Sequence, residues 1–306
     1  MAIDPKDFGA SFKGFLDQMS TAAPAEEPVF RKRLREHFAT DPNELPILTE
    51  KFPTHDHANV QMAIESEVLN SECSVETFGI ISPHQYMAVS LSMLVAPAKS
   101  GLIGGGELSE GPVEYINIGL GDDRVLPCVQ SGLLLVKRRE EPLSILINGP
   151  MSELHPMAQV GVEVMARSHE AAERLLSDLR SSMRKRNVYR GHVISLADTR
   201  TESMTVKFHK LPSVNRDSII LPEGLLERIE RQTVRFSELS DRLLSMGRHL
   251  KRGILLHGPP GTGKTLTAMY VAQAIHNRTV LLLTGRGQGM IEQSCALARA
   301  LQPSIV

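Results

Sequence analysis

The chain has 306 residues and a formal net charge of −1, with 34 Lys and Arg against 35 Asp and Glu. This balance excludes bulk electrostatic binding to nucleic acid or to anionic membranes. Tryptophan is absent and aromatic residues make up only 4% of the chain, which argues against a base-stacking surface. The length predicts about two domains.

The N-terminus and the cysteines indicate a cytoplasmic protein. Residues 1–7 contain no apolar signal core. The longest nearly apolar run, Met87–Ala98, is too short to span a bilayer. Cys73, Cys128 and Cys295 are scattered and odd in number, which is typical of a reduced compartment. We therefore expect a cytoplasmic location and no membrane-spanning segment.

The first 210 residues are predicted to form a helical segment followed by an α+β domain. Residues 1–50 are polar and contain a Pro- and Ala-rich linker, so this segment is expected to be partly flexible. The α+β domain is predicted over 51–210, with an exposed glycine-rich loop at Lys99–Pro112. Helices are predicted at Pro5–Met19, Phe30–Phe38, Asp56–Leu69 and His169–Arg186.

Strands are predicted where apolar side chains alternate. In Gln159–Ala166, three valines alternate with Gly161 and Glu163, which is the pattern of a half-buried strand. The helix that follows has one apolar stripe, and Ser168 is placed to cap its start. Further strands are predicted at Val113–Leu120, Gly132–Lys137, Leu143–Asn148, His192–Leu196 and Met204–Phe208.

A polar segment at Lys210–Ile220 sets the predicted domain boundary. Helices are predicted after it at Pro222–Gln232 and Ser237–Met246, and Gly247 is a common helix stop. We therefore predict a helical lead-in over 211–251 and a nucleotide-binding domain over 252–306.

The octapeptide Gly258–Thr265, GPPGTGKT, matches the phosphate-binding pattern G-x-x-x-x-G-K-[ST]. Its glycines let the loop turn backbone N–H groups inward, and the start of the next helix adds further donors. Lys264 is expected to reach the β- and γ-phosphates, and the Thr265 hydroxyl to ligate Mg²⁺. Proline fixes φ, so Pro259 and Pro260 stiffen the loop. The ligand predicted by this pattern is a nucleoside triphosphate with Mg²⁺.

The context of the octapeptide supports the same interpretation. The apolar run Gly253–His257 indicates a short buried strand that enters the loop, and apolar residues from Leu266 to Ile275 recur at helical spacing. Thr265 is the predicted metal ligand. The predicted cofactor-binding residues are Gly258, Pro259, Pro260, Gly261, Thr262, Gly263, Lys264, Thr265 and Leu266.

The loop and its approach, Leu250–His257, resemble the Walker A region of AAA-family ATPases. The helical stretch Pro222–Arg248 is similar to the helix that leads into the AAA module, so the resemblance covers about Ile219–Val306. It is closest to bacterial AAA proteins with a long N-terminal region. The resemblance implies ATP and Mg²⁺ as cofactors and a ring, often a hexamer, for the whole protein. The expected fold class is thus an α+β N-terminal region followed by an incomplete α/β P-loop NTPase (AAA) domain with a parallel sheet.

The resemblance also implies residues that this sequence does not contain. In the family, an apolar tail such as Pro303–Val306 begins the third strand, which ends in the Walker B Asp and Glu. The sensor residues, the arginine finger and the helical lid come later still. We therefore name no catalytic residue and expect an N-terminal portion of a longer ATP hydrolase. Residues 252–306 are expected to be the less stable part, because the Ile254 strand would lack a neighbour.

The leading function hypothesis is an ATP-binding AAA-type ATPase whose parent protein couples hydrolysis to remodelling of a macromolecular partner. The N-terminal region would act as adaptor or recognise the protein substrate. Two alternatives stay open: a non-hydrolysing module that senses ATP, and a different P-loop enzyme such as a small-molecule kinase. The Pro-Pro pair in the loop and the long N-terminal region argue against the kinase.

Three weaker signals are given structural interpretations. The basic cluster within Arg180–Arg190 is expected to complement a helix dipole and stay solvated. Thr54–His57 is expected to cap a helix through Thr54 or Asp56, because no second cluster completes a metal site. Gly287–Ile291 lies where AAA translocases carry a substrate-gripping pore loop, but it lacks the aromatic residue, so an ordinary turn is favoured.

Overall fold

The computed structural model describes residues 9, 11–14, 27–70, 72–83, 88–97, 108–150, 158–198, 204–283 and 291–306. The chain divides into two compact units. The first comprises 1–119, 123–186 and 199–204, and the second comprises 120–122, 187–198 and 205–306.

The helices of the described residues are α1 Val29–Phe38, α2 His57–Glu67, α3 Leu91–Val95, α4 His169–Lys185, α5 Leu225–Gln232, α6 Val234–Glu238, α7 Ser240–Ser245, α8 Lys264–Ala274 and α9 Ile291–Ala300. The strands are β1 Ile47–Pro53, β2 Cys73–Ile81, β3 Ser109–Gly111, β4 Glu114–Gly119, β5 Val125–Arg138, β6 Glu141–Asn148, β7 Gln159–Ala166, β8 Val193–Asp198, β9 Met204–His209, β10 Thr279–Leu281 and β11 Ser304–Ile305.

The first unit is built on an antiparallel sheet with strand order β1-β7-β6-β5-β2-β3. The long strand β5 organises it, because β4 pairs with its first half and β2 with its second half along the same edge. On its other edge β5 pairs with β6, Leu134 opposite Ile145. Antiparallel neighbours need only short connections, which suits the tight turn between β5 and β6.

Helices cover both faces of this sheet. On one face, Val160, Val162 and Val164 of β7 are fully buried together with the apolar sides of α2 and α4. The predicted alternation in β7 is therefore confirmed. On the opposite face, Leu146 of β6 and Met165 of β7 pack with the apolar residues of α1 and α3. A sheet that is apolar on both faces must be covered on both, and this gives three layers.

Helix α4 confirms the prediction made for 169–186, to within one residue. Ser168 has extended backbone angles, and its hydroxyl accepts the N–H of Ala171 at 3.2 Å. This bond satisfies one of the donors that every helix start leaves open. The apolar stripe Ala172, Leu175, Leu176 and Leu179 is buried, as expected from its spacing.

Two local predictions in the first unit differ from the structure. Most of the glycine-rich segment predicted as a loop at 99–112 lies outside the described residues, but Ser109–Gly111 forms a strand that pairs with β2, and Gly79 leaves room for that close approach. Helix α2 is not capped by a side chain either. Asp56 holds the N-cap position, but its carboxylate accepts the side-chain amide of Asn59, and the Thr54 hydroxyl donates to the carbonyl of Ala158 at 2.8 Å. Asp56 is thus bonded to a side chain of α2 itself, and Thr54 to a backbone carbonyl 104 residues away that the local sequence does not indicate.

The second unit contains a four-stranded sheet with order β11-β10-β8-β9. β10 pairs in parallel with β8 on one side and with β11 on the other. A small core of Tyr189, Ile194, Leu281 and Leu301 joins β8 and β10 to helix α9. The fold class is confirmed: an α+β N-terminal region is followed by an α/β P-loop domain.

The second unit differs from the sequence prediction in two places. The sequence prediction places strands β8 and β9 in the N-terminal domain, which it ends at residue 210. In the structure these strands share a sheet with β10. The buried strand predicted at Gly253–His257 is wrong, since these residues form no strand and Leu255 is 89% exposed. An apolar run becomes a strand only where a neighbouring strand offers backbone partners, and no described strand pairs with 253–257.

The lead-in over 211–251 is helical, as predicted, but each of its helices is shorter than predicted. Helix α5 begins at Leu225, and α6 and α7 follow in place of one continuous helix. Gly247 has a φ of 72° and donates its N–H to the carbonyl of Leu244 at 2.9 Å. It therefore acts as the predicted helix stop.

In the described parts of the chain, no helix is long and apolar enough to cross a membrane. The same residues contain no group of three or more His, Cys, Asp or Glu placed to hold a metal ion. The three cysteines are free. The predicted helix at Pro5–Met19 lies mostly outside the described residues.

Candidate functional site

The loop Gly258–Gly263 connects an extended segment to the start of α8. Gly258, Gly261 and Gly263 have φ angles of 155°, 79° and 80°. These values lie in the region that L side chains rarely adopt, so glycine is required by the backbone at these positions. A Cβ on Gly258 would also meet the Thr262 hydroxyl at 3.1 Å, whereas Gly261 and Gly263 have open space around them.

Side chains of the loop bond to its own backbone. The Thr262 hydroxyl donates to the carbonyl of Pro259 at 2.9 Å. The Lys264 ammonium donates to the carbonyls of Gly258 at 2.9 Å and Pro259 at 2.6 Å. These acceptors are neutral oxygens, so an anionic phosphate would be a stronger partner for the ammonium.

The N-terminus of helix α8 follows directly on the loop. The first helical bond runs from the N–H of Thr267 to the carbonyl of Gly263 at 2.9 Å, so the N–H groups of Lys264, Thr265 and Leu266 precede any acceptor within the helix. Gly263, at the N-cap position, offers no side-chain acceptor. The helix start therefore combines free donors with a partial positive charge.

Thr265 and Leu266 lie in the first turn of α8 and are both exposed. The Thr265 hydroxyl can take part in the coordination of a hydrated Mg²⁺, a hard cation that prefers oxygen ligands. The apolar stripe predicted for this helix is only partly buried, and the one buried residue of the helix is Thr267.

The donor set fits a polyphosphate with a divalent cation. Backbone N–H groups, the helix start and the Lys264 ammonium are cationic or hydrogen-bond donating, as an anion requires. The nine residues predicted as cofactor-binding, Gly258–Leu266, form one continuous stretch that comprises the loop and the first three residues of α8. Pro259 and Pro260 have no N–H to donate and lie exposed at the tip of the loop.

A polar network behind α8 was not anticipated from the sequence. The Tyr270 hydroxyl donates to the carboxylate of Glu230 on α5 at 2.5 Å. The same carboxylate accepts Nε and Nη2 of Arg216 at 2.9 and 3.1 Å. Gln273, one turn further along α8, bonds to the backbone of Pro212 and Val214. These contacts join residues 14 to 61 positions apart, so no short motif signals them.

The weaker sequence signals form no second site. Arg180 is paired with Glu50 and Glu173 of its own unit, and Arg190 donates to the carbonyls of Ala300 and Gln302. Arg180 and Arg190 thus link separate elements, whereas Arg184 and Lys185 are exposed, as predicted for a solvated cluster. Of the segment Gly287–Ile291, for which an ordinary turn is predicted, only Ile291 lies within the described residues.

A glycine-rich loop with positive φ angles, followed by a helix that begins Lys-Thr, defines a P-loop unit. Residues 254–306 match the model of the ATPase family associated with various cellular activities (AAA).

Individual relatives agree with this family. The 26S protease regulatory subunit 6A of Caenorhabditis elegans is 28% identical over 134 residues, 31% of this chain and 31% of that protein. Spastin of Danio rerio is 35% identical over 102 residues, 31% of this chain and 18% of its own length. The ATP-dependent zinc metalloprotease FtsH 3 of Sphaerobacter thermophilus is 37% identical over 93 residues, 27% of this chain and 19% of its own length. The chain thus spans a third or less of these relatives.

Proposed function

We propose that the chain binds ATP with Mg²⁺ at Gly258–Leu266. The observation that carries this proposal is the joint placement of three positive-φ glycines, an uncapped helix start and the Lys264 ammonium around one loop. On binding, the ammonium would exchange the carbonyls of Gly258 and Pro259 for the β- and γ-phosphates. The Thr265 hydroxyl would join the coordination of Mg²⁺.

The parent protein is proposed to be an ATP hydrolase of the AAA type. The match of residues 254–306 to the family model supports this activity, as do relatives whose names include ATPase, ATP-dependent and nucleotidase. Phosphoryl transfer relies on positioning and charge stabilisation, and the P-loop supplies substrate binding and part of that charge. The bound triphosphate would present its γ-phosphate to residues supplied elsewhere in the assembled protein. The family match also disfavours the alternative of a small-molecule kinase.

The partner class is proposed from the same comparisons. Relatives that are named as proteasome or protease components favour a protein as the macromolecular partner. The first unit has its own apolar core, with one cluster on each face of its sheet, and this supports a separate adaptor or recognition role for the unit. Ring assembly of the full-length protein and a cytoplasmic location complete this proposal, and the free cysteines suit a reducing compartment.

Isothermal titration of the full chain with ATP·Mg tests the site. We expect Lys264→Ala to weaken binding by about 100-fold or more, because two charge-assisted bonds to phosphate are lost. Lys251→Ala is the matched control, since Lys251 is an exposed lysine upstream of the loop. Equal binding by wild type and Lys264→Ala would overturn the assignment.

A further inference from the structure

The back of the P-loop helix is fastened to the lead-in by polar side chains. Tyr270 and Gln273 lie one turn apart on α8, and both bond to residues that precede the P-loop in sequence. On the other side of the loop, Arg252 bonds to Gln232 and its guanidinium lies 4.0 Å from the centre of the Phe236 ring. The lead-in therefore holds both chain segments that flank Gly258–Thr265.

Glu230 is the centre of this fastening. Its side chain is 21% exposed, while Glu227, one turn earlier on α5, is 55% exposed. Arg216 bonds to both carboxylates, but only Glu230 also accepts the hydroxyl of Tyr270. The bonds from Arg216 and Tyr270 hold the pKa of Glu230 below its ordinary value, so the acceptor stays ionised at neutral pH.

We propose that Glu230, held by Arg216, is a positioning residue for nucleotide binding: it fixes the orientation of α8 through Tyr270 and so aims the donors at the start of that helix. This inference rests on the proposed ATP site and adds to it a residue outside the loop. Tyr270 follows Lys264 by six residues, so the two lie about 9 Å apart along the helix axis. A rigid helix converts a small change of tilt at Tyr270 into a displacement of the N–H groups that face the phosphates.

We expect nucleotide binding at the P-loop to be coupled to the conformation of the lead-in. Nucleotide that orders α8 would also order α5 through the same carboxylate, because coupling between two sites is reciprocal. Residues 212–232 would then respond to ATP although they do not touch it. The parent protein could use that response to pass nucleotide state toward its N-terminal region.

The test compares Glu230→Gln with Glu227→Gln in the full chain, by titration with ATP·Mg. Both variants remove one carboxylate charge from α5, but only the first replaces the charged acceptor of Tyr270 by a neutral amide. We expect Glu230→Gln to bind ATP·Mg about tenfold more weakly and Glu227→Gln to stay within about twofold of wild type, as the loss of one charge-assisted bond predicts. Equal affinities of the two variants would overturn the proposal.

Tyr270→Phe completes a double-mutant cycle. If the hydroxyl acts through Glu230, Tyr270→Phe alone weakens binding, and adding it to Glu230→Gln has little further effect. Full additivity of the two changes would contradict a shared role. A merely structural role would lower thermal stability without this coupling in nucleotide affinity.

Hydrogen exchange without nucleotide separates this proposal from the ATP site itself. Glu230→Gln should speed exchange in peptides from α8, and Glu227→Gln should not. Failure of the wild-type chain to bind ATP would contradict the proposed function. The exchange rates of α8 would still test whether Glu230 holds that helix in place. Unchanged α8 exchange in Glu230→Gln would count against the fastening whatever ATP does.

Discussion

In the proposed site, Lys264 and Thr265 offer different chemistry from adjacent positions. Lys264 has a positive charge that is bonded to loop carbonyls, whereas Thr265 has a hydroxyl in the first turn of α8. A point charge improves the binding of any triphosphate, but a metal ligand improves only the binding of the Mg²⁺ complex. The two residues can therefore be told apart by varying the metal.

Thr265→Ala should selectively remove the advantage of Mg²⁺. We expect affinity for ATP·Mg to fall about tenfold, the scale of one bond to a charged group, while affinity for ATP in EDTA changes little. Titration calorimetry in the two buffers measures both values. Thr265→Ser keeps the hydroxyl and should restore the metal effect, and a Thr265→Ala protein with undiminished Mg²⁺ dependence would remove this residue from the site.

The candidate site could be predicted from sequence because its residues are consecutive. Three positive-φ glycines, a lysine and a threonine fall within eight positions. Glu230 could not be predicted, since its importance depends on Arg216 and Tyr270 meeting it in space. Charged residues on an exposed helix face are common, and nothing local sets Glu230 apart from Glu227.

Elements whose stability is decided by their own sequence match their predictions. Helix α4 has a side-chain cap and a continuous apolar stripe, and β7 alternates apolar and polar positions under two helices. The segment 253–257 is equally apolar, but it pairs with no described strand, and Leu255 is 89% exposed. Strand formation is settled by neighbours, and periodicity alone cannot supply them.

Removing the cap of α4 tests the element-level account. Ser168→Ala should lower the free energy of unfolding by about 1 kcal/mol, the usual cost of losing an N-cap. Ser177→Ala makes the same substitution at an exposed position within α4 and should be neutral or slightly stabilising, because alanine favours helix interiors. Urea denaturation of the full chain gives both values, and equal destabilisation by the two changes would contradict a capping role.

At the scale of the whole molecule, the two units are built on different sheets. The first has an antiparallel sheet buried on both faces by helices. The second has a smaller core, and several large apolar side chains near the P-loop, such as Leu255 and Met246, are exposed. The grouping of β8 and β9 with the second unit depends on the pairing of β8 with β10, more than 80 residues away, and is beyond any local pattern.

Hydrogen exchange of the full chain, with and without ATP·Mg, tests the central claim most directly. Without ligand, peptides from 252–306 should exchange faster than those from β5, β6 and β7, because fewer of their groups are buried. With ATP·Mg, we predict protection centred on 258–267, extending to α5, and its loss in Lys264→Ala. An unchanged loop at saturating ATP·Mg, or protection confined to the first unit, would contradict the assignment of Gly258–Leu266 as the nucleotide site.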